Sequence, residues 1–153
     1  MINDWLSWAR ELQAIAQNGL TYAVNNYDVE RYLKVRRIAA EMMAATDPRT
    51  PPQKLVEFFA VESGHATPKV DVRAAAFKDD RILLVREISD GGWTLPGGWA
   101  DVGDAPSIAA VREVREESGY AVRATKLVAA FDRDRHGHPP IPYHAYSSFS
   151  NAN

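Results

Sequence analysis

The sequence predicts an α/β protein in which a small all-helical subdomain precedes a domain of strands built around one helix. Apolar residues recur every three or four positions up to residue 68, as on one face of a helix. Beyond that point they alternate with polar residues, as in half-buried strands. Ala66-Thr67-Pro68 marks the change. We therefore place the helical subdomain at residues 1–68 and the second domain at residues 69–153.

Composition limits the classes of function. The chain has 153 residues, a formal net charge of -2 and no cysteine. Acidic and basic residues are nearly equal in both halves, so we expect no stable nucleic-acid partner. The absence of cysteine excludes disulfides, thiolate metal sites and a thiol nucleophile. No apolar run approaches the length of about 18 residues that a membrane span requires, and the first residues lack a signal-peptide pattern. We expect a cytoplasmic protein with no membrane partner.

Residues 1–68 are expected to form three short amphipathic helices. Apolar spacing places the first at residues 4–17, before an Asn-Gly pair, and the second at residues 28–45, with Asp28 as its N-cap. The third begins near residue 50, where a Thr-Pro-Pro-Gln sequence offers a capping box and a proline at the first helical position. The apolar stripe of the first helix consists of Trp5, Trp8, Leu12 and Ile15, widened by Leu6, Ala9 and Ala16.

The two tryptophans of the first helix need a partner surface, because three helices of this size bury little area alone. Trp5 and Trp8 fit three arrangements. They pack within the chain, on the subdomain or on the second domain; they form a homodimer interface; or they line an aromatic cage for a cationic ligand. Periodicity leaves all three open.

The second domain shows strand patterns on both sides of one helix. Alternation predicts a strand at residues 70–78, and two more strands at 122–132 and 141–150. The apolar run 82–85 is expected to be a central strand covered on both faces. In the loop 132–140, His136 and His138 are better explained as part of a substrate-side or mobile loop than as a metal site, because no third ligand accompanies them.

The helix that starts near Asp104 carries the residues with the clearest chemistry. Asp104 is a plausible N-cap, and Gly119 suits the position after the last turn. Glu113 is followed by glutamates three and four positions later, so the three share one face. Ile108, Val111 and Val114 fall on another side and are expected to pack on the sheet.

Two explanations fit this carboxylate face. Like charges at this spacing repel by a few tenths of a kcal/mol per exposed pair. A hard divalent cation removes that penalty, because Mg²⁺ and Mn²⁺ prefer carboxylate oxygen. A solvated helix face with pairs such as Arg112–Glu116 also accounts for the same residues.

The spacing around this helix resembles the Nudix box. Gly98 is followed by five residues, Asp104, seven residues, and the run Arg-Glu-Val-Arg-Glu-Glu-Ser-Gly-Tyr from Arg112 to Tyr120. The family pattern differs at one fixed position, having Glu where this chain has Asp104, and Leu-Pro-Gly-Gly before the box also resembles the family. The resemblance implies a Nudix-type mixed sheet with flanking helices, an α/β/α arrangement. It also implies hydrolysis of a nucleoside diphosphate linked to another moiety, with Mg²⁺ or Mn²⁺.

The resemblance assigns roles by position. It implies that three glutamates bind metal, with the carbonyl near Gly97 or Gly98 as a further ligand, and that Arg112 holds a glutamate in place. One such glutamate, or a carboxylate outside the box, acts as the base. Asp104 is one methylene shorter than Glu, which leaves open whether it reaches Arg112. Catalytic roles fall on Glu113, Glu116 and Arg112, metal binding on Glu113, Glu116, Glu117 and Gly97, and structural roles on Gly98, Asp104 and Gly119.

Two strand-borne arginines, Arg73 and Arg86, are candidates for contacting the diphosphate of a substrate. Surface ion pairing explains each of them equally well. The sequence alone does not separate the two interpretations.

The whole chain resembles Nudix proteins that carry an N-terminal helical domain. Such proteins are described as ADP-ribose pyrophosphatases, and some act on CDP-choline; their helical domain contributes to dimerisation, which implies a homodimer here. The family adds strands, an acidic loop and a C-terminal helix beyond the point where residue 153 falls, so we expect an incomplete Nudix domain. Asp132 and Asp134 are the acidic residues that follow the box. The alternatives are a truncated domain with little turnover that binds nucleotide or dimerises, and a nucleoside triphosphate sanitising hydrolase.

Overall fold

The structure, a computed structural model, describes residues 4–46 and 50–153. The chain divides into two compact units. Residues 1–68 and 139–144 form the helical unit, and residues 69–138 and 145–153 form the sheet unit. No helix among the described residues is both long and apolar enough to cross a bilayer.

The helical unit contains α1 (Asp4–Tyr22), α2 (Asn26–Ala44) and α3 (Pro52–Ala60). α1 is longer than predicted, because Gly19 does not end it. The ring of Tyr32 occupies the space where a side chain at residue 19 would project, so this glycine permits close packing of α1 on α2. The N-cap of α2 is Asn25 rather than Asp28, and its Oδ1 accepts a hydrogen bond from the Asp28 N–H at 2.9 Å.

The predicted capping box at the start of α3 is wrong. Pro51 is the N-cap residue and no side chain caps the helix. Gln53 instead donates a hydrogen bond from Nε2 to Glu57 one turn later, at 3.1 Å. The two consecutive prolines set the backbone for helix entry without a side-chain bond.

The segment 139–144 packs with these helices although it lies far along the sequence. The Arg10 Nε donates a hydrogen bond to the Ile141 carbonyl at 3.0 Å. The rings of Phe58 and Tyr143 stack with centroids 5.9 Å apart. A change of periodicity at residue 68 does not indicate such a return of the chain.

The core of the helical unit uses the edge of the predicted apolar stripe of α1, at Leu6 and Ala9, rather than its tryptophans. Trp5 and Trp8 are 57% and 50% exposed, so they do not form the core. Their rings meet edge to face at 5.3 Å. Small and aliphatic residues next to them in sequence are buried instead, because they let α1 and α2 approach closely. The core cluster consists of Leu6, Ala9, Ala40, Met43, Leu55 and Phe59.

The sheet unit contains a mixed sheet and a separate two-stranded ribbon. The sheet order is β2-β1-β7-β6, and β5 pairs with β1. β1 and β7 run parallel, whereas β5 and β2 run antiparallel to β1, and β6 antiparallel to β7. The strands are β1 (Lys69–Lys78), β2 (Arg81–Ile82), β3 (Val85–Arg86), β4 (Trp93–Thr94), β5 (Gly97–Trp99), β6 (Ala124–Asp132) and β7 (Ala145–Ala152).

The predicted central strand at 82–85 is wrong. This run is divided between β2, which pairs with the end of β1, and β3, which pairs with β4. Ile82 and Leu84 are each 42% exposed. The interior positions of the sheet belong to β1 and β7, and the small and polar residues of β7 give a weaker sequence signal than an apolar run.

One helix, α4 (Pro106–Ser118), packs on the sheet within residues 69–153. Its contact face is made of small residues, so Ile108 is exposed and the prediction that it packs on the sheet is wrong. Asp104 does not cap α4, whose N-cap is Ala105. Gly119 ends the helix at a left-handed φ of 75°, as predicted. The core cluster consists of Val72, Ala74, Ala76, Ala109, Ala110, Val114 and Ala152.

Candidate functional site

The site begins at the first two residues of β5, Gly97 and Gly98, which are paired with β1. Arg73 lies opposite Gly97, and Val72 lies opposite Gly98. The Ala74 N–H donates to the Pro96 carbonyl at 2.9 Å. Because alternate residues of an antiparallel strand bond to the same neighbour, the N–H and carbonyl of Gly97 face away from β1.

Close contacts exclude a side chain at residue 97, and a side chain at residue 98 would require the Glu113 carboxylate to shift. A Cβ at residue 97 would overlap the backbone carbonyl of Val72. A Cβ at residue 98 would lie 3.1 Å from Oε2 of Glu113, tighter than ordinary van der Waals contact. The absence of side chains thus lets β5 approach β1 and lets the Glu113 carboxylate lie against the backbone of Gly98.

Two of the three predicted glutamates contact these two glycines. Glu117 accepts a hydrogen bond at Oε2 from the Gly97 N–H at 3.0 Å. Glu113 packs against Gly98, and its side chain is 14% exposed. Glu116, one turn from Glu113, points further into solvent with 59% of its side chain exposed. The carboxylates of α4 therefore differ in solvent exposure beside Gly97 and Gly98, with Glu113 more buried than Glu116.

Arg112 lies among four carboxylates. Its Nη1 is 2.9 Å from Oε1 of Glu113 and 3.4 Å from Oε2 of Glu116. Its Nε is 3.5 Å from Oδ2 of Asp104, so the shorter aspartate does reach the arginine, at a long distance. Its Nη2 is 3.1 Å from Oδ2 of Asp101.

Asp101 is the residue of this cluster that the sequence did not single out. Its only signal is its position in the loop before α4, three residues from Asp104. The Nε and Nη2 atoms of Arg112 are buried without a hydrogen bond among the described residues. The contacts with Asp101 and Asp104 are therefore ionic contacts rather than well-aligned hydrogen bonds.

Charge and burial act in opposite directions on the two central residues. Burial lowers the pKa of Arg112, but the nearby carboxylates, with Glu113 first, raise that pKa above its ordinary value. Burial raises the pKa of Glu113; Arg112 opposes this shift, and Glu116 and Glu117 add to it. The ionised form of Glu113 is thus less favourable here than in a solvent-exposed glutamate, and a nearby cation would favour it.

The donor set fits a hard divalent cation by its chemistry. Carboxylate oxygens and a backbone carbonyl are the ligands that Mg²⁺ and Mn²⁺ prefer, and the Gly97 carbonyl faces away from β1 together with the N–H that meets Glu117. Among the described residues, the three glutamates do not bring one oxygen each within 4.8 Å of one another. Glu113 contacts Arg112 and Glu117 contacts Gly97 instead. The carboxylates share one helix face without converging on a point.

The two predicted substrate-binding arginines differ in their surroundings. Arg73 makes hydrogen bonds to Asp71 and to the Leu95 carbonyl, and its side chain is 21% exposed. Arg86 is exposed and donates from Nε to the Gly91 carbonyl at 3.0 Å. Contact of either arginine with a diphosphate stays a prediction.

The loop after β6 is partly ordered by a short 3-10 turn, Arg133–Arg135. Asp132 caps it, accepting a hydrogen bond at Oδ1 from the Asp134 N–H at 3.0 Å. The His136 ring lies 4.0 Å from that of Phe131. Burial, together with nearby arginines, lowers the pKa of His138. The role of this loop in substrate binding stays a prediction.

Comparison with known proteins identifies the family. A family model described as the NUDIX domain matches residues 67–150. The chain belongs to the Nudix family. The resemblance of the box is thus confirmed, and the mixed sheet with α4 packed on it is the Nudix-type fold that it implied. A second family model, described as the UDP-X-like, N-terminal oligomerisation domain, matches residues 3–59.

Individual Nudix relatives extend this result. A Bacillus subtilis (strain 168) protein, to which an ADP-ribose pyrophosphatase activity is ascribed, is 43% identical over 95% of this chain and 69% of its own length. The ADP-ribose pyrophosphatase of Methanocaldococcus jannaschii is 35% identical over 46% of each chain. A crystal structure of a UDP-X diphosphatase is similar over 98% of this chain and 73% of that one, with 30% identity and a TM-score of 0.50. The chain is accordingly a Nudix pyrophosphohydrolase.

Proposed function

We propose that this protein hydrolyses the pyrophosphate bond of a nucleoside diphosphate linked to another moiety, of the ADP-ribose or CDP-choline type, with Mg²⁺ or Mn²⁺. The observation that carries the proposal is the contact of Glu113 and Glu117 with Gly98 and Gly97. These contacts place several hard oxygen donors on one side of α4. The names of the relatives support the same substrate class.

When bound, Mg²⁺ or Mn²⁺ would supply positive charge for the diphosphate and lower the pKa of the attacking water. Glu113, Glu116 and Glu117 would hold the cation, with the Gly97 carbonyl as a further oxygen donor. Arg112 keeps Glu113 and Glu116 in place through charge-assisted contacts. Glu116 is more exposed than Glu113, which favours it as the group that takes the proton from water. Water attacks one phosphorus, the bridging oxygen leaves, and a nucleoside monophosphate and a phosphorylated second moiety result.

The test is product release from ADP-ribose, CDP-choline and a UDP-sugar, each with Mg²⁺ and with Mn²⁺. We expect turnover of at least one substrate, with a loss of about 10²–10⁴-fold in Glu116→Gln. Glu30→Gln, which removes an exposed carboxylate from α2, serves as the charge-matched control. Binding of Mn²⁺ without turnover of any substrate would support the alternative of a nucleotide-binding or dimerising domain.

We also propose that the helical unit joins two copies of the chain. Trp5, Trp8 and Ile15 are each about half exposed and recur at helical spacing on α1, next to the buried stripe. Tyr22, 65% exposed, continues this second stripe at the end of α1. A second copy of the chain is the occupant that the match to an oligomerisation domain supports.

Sedimentation of the full chain tests this interface. We expect Trp8→Ser to shift the protein towards monomer, because large aromatic residues carry much of an interface's energy. Val102→Ser, a change of a fully exposed apolar residue in the sheet unit, provides the control. An unchanged sedimentation coefficient in Trp8→Ser and in Trp5→Ser would place the interface elsewhere.

A further inference from the structure

We propose that Arg73 is a positioning residue. Its side chain forms a strap, a hydrogen-bonded link that holds the Leu95–Gly97 segment on β1 and thereby orients Gly97 towards α4. This inference rests on the proposed metal site, in which the Gly97 carbonyl is a ligand. It gives Arg73 a role that differs from contact with the diphosphate of a substrate.

The side chain of Arg73 crosses directly over Gly97. The two residues are paired across β1 and β5. The Cδ atom of Arg73 lies 2.7 Å from the position that a Cβ at residue 97 would occupy. The arginine stem therefore fills the space left by the missing side chain. Any residue with a Cβ at position 97 would displace this stem as well as β5 itself.

The guanidinium of Arg73 is hydrogen-bonded both to its own strand, β1, and to the segment that it crosses. Its Nη1 donates a hydrogen bond to the Leu95 carbonyl at 3.1 Å. Its Nε and Nη2 donate to the Asp71 carboxylate at 3.1 Å and 3.0 Å. A planar guanidinium can serve a carboxylate and a carbonyl together, which a lysine ammonium does with less geometric control.

The anchor of this strap is rigid because it is buried. The Asp71 side chain is 7% exposed. Its Oδ2 accepts a further hydrogen bond from the Ser147 hydroxyl at 3.0 Å, and Ser147 lies on the neighbouring strand β7. Both carboxylate oxygens of Asp71 are thus satisfied by protein groups. Arg73 is also 3.7 Å from Glu87, which adds a weaker ionic contact.

These contacts leave Arg73 poorly placed to bind a diphosphate. Each of its three nitrogens already donates to a protein oxygen, which fixes the plane of the guanidinium and leaves few of its five N–H groups for a phosphate. The segment that it holds, in contrast, supplies the Gly97 N–H that meets Glu117. Groups that orient metal ligands in this way change metal affinity or activity by about 10–100-fold when they are removed.

The test compares Arg73→Gln and Arg73→Lys with the wild-type chain by three measurements. These are the Mn²⁺ dissociation constant, from the electron paramagnetic resonance of free Mn²⁺; the hydrogen-exchange rate of the Gly97 amide; and kcat and KM on the substrate that turns over. Arg81→Gln, which removes an exposed arginine from β2, is the control. Asp71→Asn keeps the shape of the anchor and provides a second variant if Arg73→Gln fails to fold.

We expect Arg73→Gln to weaken Mn²⁺ binding by about 10–100-fold, to speed exchange of the Gly97 amide and to lower kcat with little change in KM. Arg73→Lys should retain little of the wild-type Mn²⁺ affinity, Gly97 protection and kcat. Asp71→Asn should shift the same three quantities in the same direction as Arg73→Gln. A raised KM with unchanged Mn²⁺ affinity and unchanged Gly97 exchange would overturn the proposal in favour of diphosphate contact. If the wild-type chain binds no Mn²⁺, the proposed metal site fails, and Gly97 exchange alone decides whether the strap exists.

Discussion

The Gly97 N–H donates a hydrogen bond to Oε2 of Glu117 at 3.0 Å, joining the start of β5 to the last turn of α4. The two residues are twenty positions apart, and the loop between β5 and α4 reverses the chain so that they meet. This bond occupies one carboxylate oxygen of Glu117 and leaves the other for a cation. The position of Gly97 therefore fixes the position of the Glu117 carboxylate.

Gly97→Ala should destabilise the fold and abolish activity. The new Cβ would meet the Val72 carbonyl and the stem of Arg73, and backbone strain of this kind costs about 1–3 kcal/mol. Urea unfolding and the rate of substrate hydrolysis are the measurements. Gly64→Ala is the matched control, because its φ is also positive, at 79°, but nothing lies within 4 Å. If Gly97→Ala were active and as stable as the wild-type chain, the close approach of β5 to β1 at Gly97 would not be required.

Asp104→Glu should strengthen the contact with Arg112. The extra methylene shortens a gap that is 3.5 Å in this chain. Because the site is partly exposed, the gain is expected to be under about 1 kcal/mol of unfolding free energy. Denaturant unfolding measures it.

Asp101→Asn should lower the free energy of unfolding more in the wild-type chain than in the Asp104→Glu variant. Asp101 lies closer to Arg112, at 3.1 Å, than Asp104 does. We therefore expect Asp101 to compensate in part for the shorter side chain at position 104. A double-mutant cycle of the two positions should show coupling. Additive effects would mean that the two carboxylates act on Arg112 independently.

Glu113→Gln should be more stable than the wild-type chain near neutral pH when a chelator is present. The folded pKa of Glu113 is raised above its ordinary value of 4.5, by burial first, so the folded state retains the proton to a higher pH than the unfolded state. The contribution of Glu113 to the free energy of unfolding is therefore fully present below its ordinary pKa. It is lost as the pH rises through the pKa of the folded state. Thermal unfolding from about pH 4 to about pH 8 should show the two proteins converging at acid pH. A variant less stable at every pH would contradict this cause.

Mg²⁺ or Mn²⁺ should stabilise the wild-type chain against unfolding. At about 100 times the dissociation constant, the expected gain is about 2.7 kcal/mol. The gain should fall in Glu117→Gln, because one proposed ligand is lost, and persist in Glu30→Gln. Equal stabilisation of all three proteins would place the cation elsewhere.

Local patterns were predictable where neighbouring residues decide them. The carboxylates of α4 share a face because the helical repeat places them there, and Gly119 ends the helix because few other residues adopt its conformation. Which face of a helix is buried was less predictable. Ile108 and Trp8 have the right periodicity for a core, yet their alanine neighbours are buried instead. Close packing of helix on sheet and helix on helix favours small residues there.

The sequence by itself determined the family, the helix that bears Glu113, Glu116 and Glu117, and the glycines beside it, because each depends on residues at short, regular spacing. Only the tertiary structure decided what those residues meet. Strand pairing brings Arg73 over Gly97, and loop closure brings Asp101 to Arg112. Such contacts join residues with no fixed separation along the chain, so their distances and burial are set by packing rather than by pattern.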